Sequence, residues 1–309
     1  MRFRDYFILV EYPIFINLSE TIQIQGNVLD DFIYLRGVTK LRNEIFILCL
    51  IAFKVPHVIG VIEDRRPFRF QRNIEIKTIK EPSDIGSCEK ENCLYVSDFK
   101  EKCVWKITRT TDYEHTIIKW LATDYQPRTL SVSSGGQLLM VNDSLSTLMI
   151  YGSDAELIRS IQLPEDMKNP RHAVETSIGN FIILHFCIEN EGKGENWSMK
   201  RLPKKKLVVS ELTRNGEIRR FTSSIKPQEL SYSGYLSLNS DDQVFVADTS
   251  NHSVTLLNSD LRSNRNFCLA WERTKSLRPR NLCYDEGKKQ LIILGELRNR
   301  AYIYNLSTK

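Results

Sequence analysis

The chain restarts itself. The stretch "QPRTLSVSSGGQLLMV" at 126–141 returns as "NPRHAVETSIGNFIIL" at 169–184 and as "RPRNLCYDEGKKQLIIL" at 278–294. Each opens on Pro-Arg, alternates apolar and polar residues, turns, and runs on as an almost unbroken apolar stretch. Partial copies start at "LRGVTKL" (35–41), "PSDIGSC" (82–88) and "SGYLSLN" (233–239). The starts recur about every 45 residues, with one longer step into the fifth unit, and that period belongs to the four-stranded blades of a propeller.

Within a unit the pattern is that of four strands. The first alternates, as in Leu130 and Val132. A turn rich in Gly, Asn, Asp or charge follows ("SSGG", "TSIGN", "NSDDQ", "DEGKK", "CEKEN"), then an apolar run ("EIFIL", "CLYVS", "QLLMV", "NFIIL", "QVFVA", "QLIIL"). Such a run suits a strand covered on both faces, as stacked blades provide. Third strands read "CVWKI", "TLMIY", "SVTLL" and "AYIYN"; the fourth, outer strands are more polar, as in "IIKWL" and "LIRSIQL".

Six units are legible, and the sixth ends at its third strand. The segment "ETIQIQG" (20–26) alternates correctly ahead of the first unit and is expected to supply the missing strand, which removes an open edge. The expected fold is therefore all-β: a six-bladed propeller over residues 20–309, closed by an N-terminal strand, with residues 1–19 outside the pattern. The longer step comes from an insert in blade four, 186–205, between "NFIIL" and "KLVVSEL". It reads as a solvated loop or as a binding loop on one face.

Composition agrees with one large β domain. The 309 residues are 41% hydrophobic and 26% charged, with a mild net charge of +5. Seven cysteines point to a reducing compartment. Cys88, Cys93 and Cys103 lack the spacing of a zinc knuckle and are expected to be structural thiols. The apolar N-terminus is interrupted by Glu11 and Pro13 and reads as neither anchor nor signal peptide, so no membrane partner and a cytoplasmic location are expected.

"QVFVADTSNHSVTLLN" (243–258) and "CLYVSDFKEKCVWKI" (93–107) resemble NHL repeats: an apolar strand, Asp, a short polar turn, and a second apolar strand. The resemblance spans roughly residues 20–309 and is most similar to the C-terminal propeller of tripartite-motif proteins. It implies a module that binds protein partners or RNA, as the substrate-recognition part of a ubiquitin-ligase-type protein. Ligase activity itself is not implied, because the family places it in RING, B-box and coiled-coil parts whose zinc-ligand array and heptads this sequence does not contain.

Aligning the units puts Arg36, Arg128, Arg171 and Arg280 in one column just before the inner strand, with Ser83 and Gly234 in the other two units. On a propeller this column rings the channel mouth, which makes an anion site of it: RNA phosphate or an acidic peptide segment. A second column, at the end of the second strand, holds Asp98, Asp143, Asp248 and Glu296, with His185 and Cys49. The two columns share one face. The favoured expectation is a near-neutral ring, with the acids capping their turns and pairing with arginines that clamp blade to blade.

Enzyme readings rank below a binding role. A calcium-dependent lactonase-type hydrolase needs channel carboxylates and amides where this chain carries arginine. A zinc lyase needs three or four ligands, and of the five histidines only His172 and His185 share a blade near the mouth. No cofactor or metal is expected. A protein partner ranks first and single-stranded RNA second. RNA would use Trp197 for stacking and Lys204, Lys205 and Lys206 of the insert's "KRLPKKK" for phosphates.

Overall fold

A computed structural model describes residues 14–23, 33–51, 57–66, 68–111, 114–189, 204–222, 234–249, 252–262, 264–268, 278–295 and 300–308. These form six sheets, each of four antiparallel strands. The inner strands are Ile33–Leu41, Pro82–Cys88, Leu130–Val132, Lys168–Glu175, Gly234–Leu238 and Pro279–Asp285. They fall on the six repeat starts read from the sequence. Each packs against the next, and the sixth packs against the first, so the blades close into a ring.

Every inner hairpin carries one residue in the left-handed region: Arg42, Asn92, Gly136, Gly179, Asp242 and Lys289. Gly, Asn and Asp tolerate this conformation; Arg and Lys accept it at a cost. Second strands are buried along most of their length, as in Ile45, Phe46, Ile47 and Leu48, none more than 4% exposed. Their side chains pack between blades. Leu35, Val38, Ile45 and Ile47 of blade one meet Ile292, Leu294, Ala301 and Ile303 of blade six in one cluster. Each Leu, Ile or Val among them contributes about 1.5–3 kcal/mol on burial. Outer strands such as Leu157–Gln162 are mostly exposed, which is why they read as more polar.

Blade six takes its fourth strand from the N-terminus. Ile14–Gln23 pairs antiparallel with Arg300–Thr308, from Ile14 opposite Thr308 to Gln23 opposite Arg300. Closure is as expected, but the strand begins at Ile14 rather than Glu20. Residues 14–19, placed outside the pattern by the sequence, belong to the blade because the third strand offers ladder positions out to Thr308. Below the ring, Lys40 of blade one bridges Asp64 at 3.2 Å and Asp285 of blade six at 2.5 Å, and Lys288 reaches Asp64 at 2.6 Å. These charges tie the first blade to the last.

In blade four the second and third strands, Phe181–Glu189 and Lys204–Leu212, stay paired out to Glu189 opposite Lys204. Lys204, Lys205 and Lys206 therefore open a strand instead of lying in a loop, and the insert shrinks from 186–205 to 190–203. That remainder, with Trp197, lies outside the described residues. Among the described residues no helix is long and apolar enough to cross a membrane.

Candidate functional site

All six positions of the arginine column line one cavity of about 200 Å³ at the channel mouth: Arg36, Ser83, Arg128, Arg171, Gly234 and Arg280. A local irregularity aims them. The ladder slips between Leu35 and Gly37, between Pro82 and Asp84, between Lys168 and His172, and between Pro279 and Asn281. In blades one, two and six the column residue is thus the extra, bulged one, and in blade four Arg171 lies in a wider irregularity with Asn169 and Pro170. A bulge breaks the strict in-out alternation of a strand, so two successive residues can face the same side. Ser83 and Asp84 both line the cavity, and so do Arg280 and Asn281.

The residues just after the arginine column form the floor. Asp84 is 1% exposed and accepts four hydrogen bonds. Ile85 N–H (2.9 Å) and Asn281 Nδ2 (3.1 Å) donate to Oδ1; Leu130 N–H (3.0 Å) and the Tyr235 hydroxyl (3.1 Å) donate to Oδ2. Asn281 in turn accepts from Val38 N–H at 3.3 Å. His172 stacks on Tyr235 with ring centroids 3.9 Å apart. Its Nδ1 accepts from Leu236 N–H at 3.2 Å, so the proton sits on Nε2 and is donated to the Leu130 carbonyl at 3.3 Å. Val38, Asp84, Leu130, His172, Tyr235 and Asn281 come from blades one to six in turn. The channel is plugged by a hydrogen-bonded layer drawn from every blade.

Burial sets the ionisation of this layer. It pushes the Asp84 carboxyl up to about 7, against the four bonds that favour its charge. It pushes the His172 imidazole down to about 4, and the Leu130 carbonyl only partly offsets this. Gly37 makes room for the carboxylate: a Cβ there would lie 2.8 Å from Asp84 Oδ1.

The described acids of the second column divide between turn caps and the mouth. Asp98 is fully buried and turns to the backbone, accepting from the N–H groups of Lys80, Glu81, Lys100 and Glu101 at 2.8–3.2 Å. In blade three the matching place belongs to Asn142, which accepts from Ser144 and Leu145 N–H. Asp143 is thereby displaced by one residue into the cavity, where it pairs with Arg128 of its own blade at 3.5 Å. Asp248 is buried and does not line the cavity. In blade six Gly295 stands opposite Pro279 as Asp98 stands opposite Pro82, and Glu296 lies outside the described residues. Asp98 serves as a turn cap, because buried N–H groups claim a carboxylate before a partly hydrated guanidinium does.

Two of the arginines lie over aromatic rings. Arg128 is half-exposed, and its contact with another blade is a guanidinium over the Phe99 ring at 4.7 Å. Arg171 lies over Phe186 of its own blade at 5.6 Å. Arg36 is half-buried, and burial together with the nearby Arg280 charge lowers its affinity for its proton. The blades are also joined by the floor and by links such as Thr129 Oγ1 to the Arg171 carbonyl at 2.5 Å.

His172 and His185 do not converge. His185 bonds Ser210 Oγ at 2.8 Å and is 2% exposed. Cys88 and Cys93 sit in an apolar cluster with Tyr95 and Leu130, and burial pushes the Cys93 thiol up to about 11. Among the described residues no three His, Cys, Asp or Glu side chains gather as a metal site. Sequence reasoning missed Asp84, Tyr235 and Asn281, although the position after the arginine column is polar or aromatic in five units and Gly in the sixth.

No family's sequence profile matches the chain, and no curated protein matches it in sequence. Solved structures do. Hydrazine synthase of Kuenenia stuttgartiensis aligns with 93% of this chain and 99% of its own, at a TM-score of 0.61 and 13% identity. Virginiamycin B lyase from Staphylococcus aureus covers 93% and 99%, at 0.58 and 12%. The β-propeller domain of Cps50 (Swd1) from Myceliophteria thermophila covers 88% and 84%, at 0.53 and 10%. At these identities the likeness is one of fold: the chain is a six-bladed β-propeller.

Proposed function

We propose that this propeller is a non-enzymatic interaction module that holds an acidic segment of a protein partner in its channel mouth, as the recognition part of a tripartite-motif-like, NHL-type protein. One observation carries the reading: four arginines from four blades line a single cavity at the channel mouth. Guanidinium groups gathered from separate blades favour an anionic ligand. The non-enzymatic reading is supported by the floor, where Asp84, His172, Tyr235 and Asn281 are engaged with one another and with backbone. Six free cysteines among the described residues suit a reducing compartment such as the cytoplasm.

The test is anisotropy titration of a labelled decapeptide of Asp and Glu against a labelled ten-nucleotide oligouridine, with the parent and with Arg36→Glu/Arg280→Glu. Saturable peptide binding that the double variant abolishes is the expected result. Tighter oligouridine binding would favour RNA, which Lys204–Lys206 at the mouth end of their strand would serve. No binding of either ligand removes the mouth as an anion site.

A further inference from the structure

We infer that Asp84 and Tyr235 form a proton-holding pair in the floor of the channel mouth, so that an acidic segment binds there with uptake of a proton from solvent. This rests on the acidic-segment reading above and adds its regulation: the mouth grips more tightly as pH falls through neutrality.

The first argument is a hydroxyl with two acceptors in reach. The Tyr235 oxygen lies 3.1 Å from Asp84 Oδ2 and 3.3 Å from the Leu130 carbonyl oxygen. It has one proton to give and can also accept one. When Asp84 is ionised, the tyrosine donates to the carboxylate. When Oδ2 carries a proton, the carboxyl donates to the tyrosine and the tyrosine donates to Leu130. The Leu130 carbonyl has a second lone pair for this, beside the one that takes the His172 Nε2 proton. Oδ2 still accepts from Leu130 N–H, and Oδ1 keeps Ile85 N–H and the Asn281 amide. Both protonation states are therefore hydrogen-bonded throughout, and no heavy atom has to move. Asp98 shows the contrast. It is as deeply buried, but the four donors that reach it are backbone N–H groups, none of which can accept.

The second argument is position. Asp84 lines the same cavity as the arginine column, so the carboxylates of a ligand held there meet its charge. Like charges brought together favour the neutral form of one of them. Binding thus draws a proton onto Asp84, and by linkage that proton strengthens binding. Burial places the Asp84 carboxyl at about 7, within reach of small changes around neutrality.

The surroundings of Asp84 leave the link to this pair. Arg36, Arg128, Arg171 and Arg280 keep their charge throughout the neutral range whatever else they contact, so they set affinity and not its pH slope. His172, stacked behind Tyr235, titrates at about 4, and burial holds the Tyr235 hydroxyl well above its ordinary range. The other carboxylates are Asp143, paired with Arg128, and Glu81, whose charge acts on Arg36; replacing Asp84 alone separates it from both.

Anisotropy titration of the labelled acidic decapeptide at pH 6, 7 and 8 and fixed ionic strength tests the inference. The peptide's own carboxyls titrate at about 4 and stay charged across this range. The parent should bind about five- to tenfold tighter at pH 6 than at pH 8. Isothermal titration in two buffers of different ionisation enthalpy should show net proton uptake. Asp84→Asn should bind with an affinity that stays flat. Circular dichroism establishes the fold of this variant. Carboxyl carbon NMR of the parent is the second measure, and it decides alone if the variant does not fold: the Asp84 resonance should titrate near neutrality, with a midpoint that moves up when peptide is added. A resonance that stays ionised at pH 6 with and without peptide overturns the inference, and so does a tightening that persists in Asp84→Asn. A flat affinity in the parent without buffer dependence overturns the proton link while the acidic-segment reading survives. Absence of binding at every pH overturns both.

Discussion

Asp84 and Tyr235 stand 151 positions apart in the sequence and meet across the axis of the ring, the tyrosine hydroxyl donating to the carboxylate at 3.1 Å. Together with Ile85, Leu130 and Asn281, this fills every acceptor direction of a carboxylate that is 1% exposed. In Asp84→Asn an amide nitrogen replaces one acceptor and confronts a backbone or hydroxyl donor. The expected loss is about 1–3 kcal/mol, and Tyr235→Phe, which removes one donor, should cost about 1 kcal/mol. Urea unfolding curves measure both, and Asp84→Asn should have the lower midpoint.

His172 gives stability a pH dependence. The unfolded chain takes up its proton near pH 6.5, whereas the folded chain resists until about 4. As pH falls through that window the unfolded state binds more protons, so stability falls. Asp84 acts the other way: the folded chain keeps a proton up to about pH 7 that the unfolded chain releases near 4, and this contribution is lost as pH rises. His172→Gln removes the first effect alone. The stability gap between parent and variant should shrink, by on the order of 2 kcal/mol, between pH 6.5 and 4.5. A gap that does not change with pH would mean that the imidazole titrates alike in the folded and unfolded chain.

Arg128→Ala separates holding the fold from holding a ligand. The guanidinium is 52% exposed, with an ion pair to Asp143 and a ring contact to Phe99. Exposed pairs and exposed cation–π contacts each contribute up to about 1 kcal/mol. Thermal unfolding should shift by a few degrees at most, while affinity for the acidic decapeptide falls. A large loss of stability with unchanged affinity would assign it the role of blade clamp.

Removing residues 1–23 deletes the strand paired with Arg300–Thr308 and bares the edge of blade six. A drop in melting temperature on the order of 10 °C, with aggregation, is expected in differential scanning fluorimetry. An unchanged melting curve would show that the ring holds without this strand.

Lys40→Ala attacks the same seam from below. Asp64 and Asp285 are 1% and 3% exposed, and Lys40 answers both. Burial alone would loosen the Lys40 proton, but its bonds to Asp285 and Asp64 outweigh that and hold it more tightly than usual. Losing the cation strands carboxylate charge in the interior, at about 3 kcal/mol. Chemical denaturation should reveal it, and Lys40→Arg should recover part of the loss.

The blade plan was legible because apolar alternation and turn residues are local. Pro82–Cys88 and Pro279–Asp285 are strands with the very limits that the repeat implied. The arginine column was legible for the same reason. What it faces was not. Plain alternation sends Ser83 and Asp84 to opposite sides, and only a bulge between Pro82 and Asp84 turns both inward. The acidic column misled at Asp143, because a one-residue offset handed the capping place to Asn142. That offset depends on how the strand pairs, which side-chain type does not report. The partners of Asp84 come from blades three, five and six, beyond the reach of any local pattern.

The plugged floor also bears on how such a chain reaches its native state. Open solenoids can gain stability one repeat at a time, since each unit answers only to its neighbours. Here Asp84 receives donors from three other blades, and Asn281 joins the last blade to Val38 of the first, 243 positions away. A fragment of four or five blades would carry a buried acid short of partners and an unfilled centre. Partial rings are therefore poor resting points. Folding should proceed as one slow, cooperative transition limited by distant closures, and a nascent chain gains its central layer only after blade six has been made.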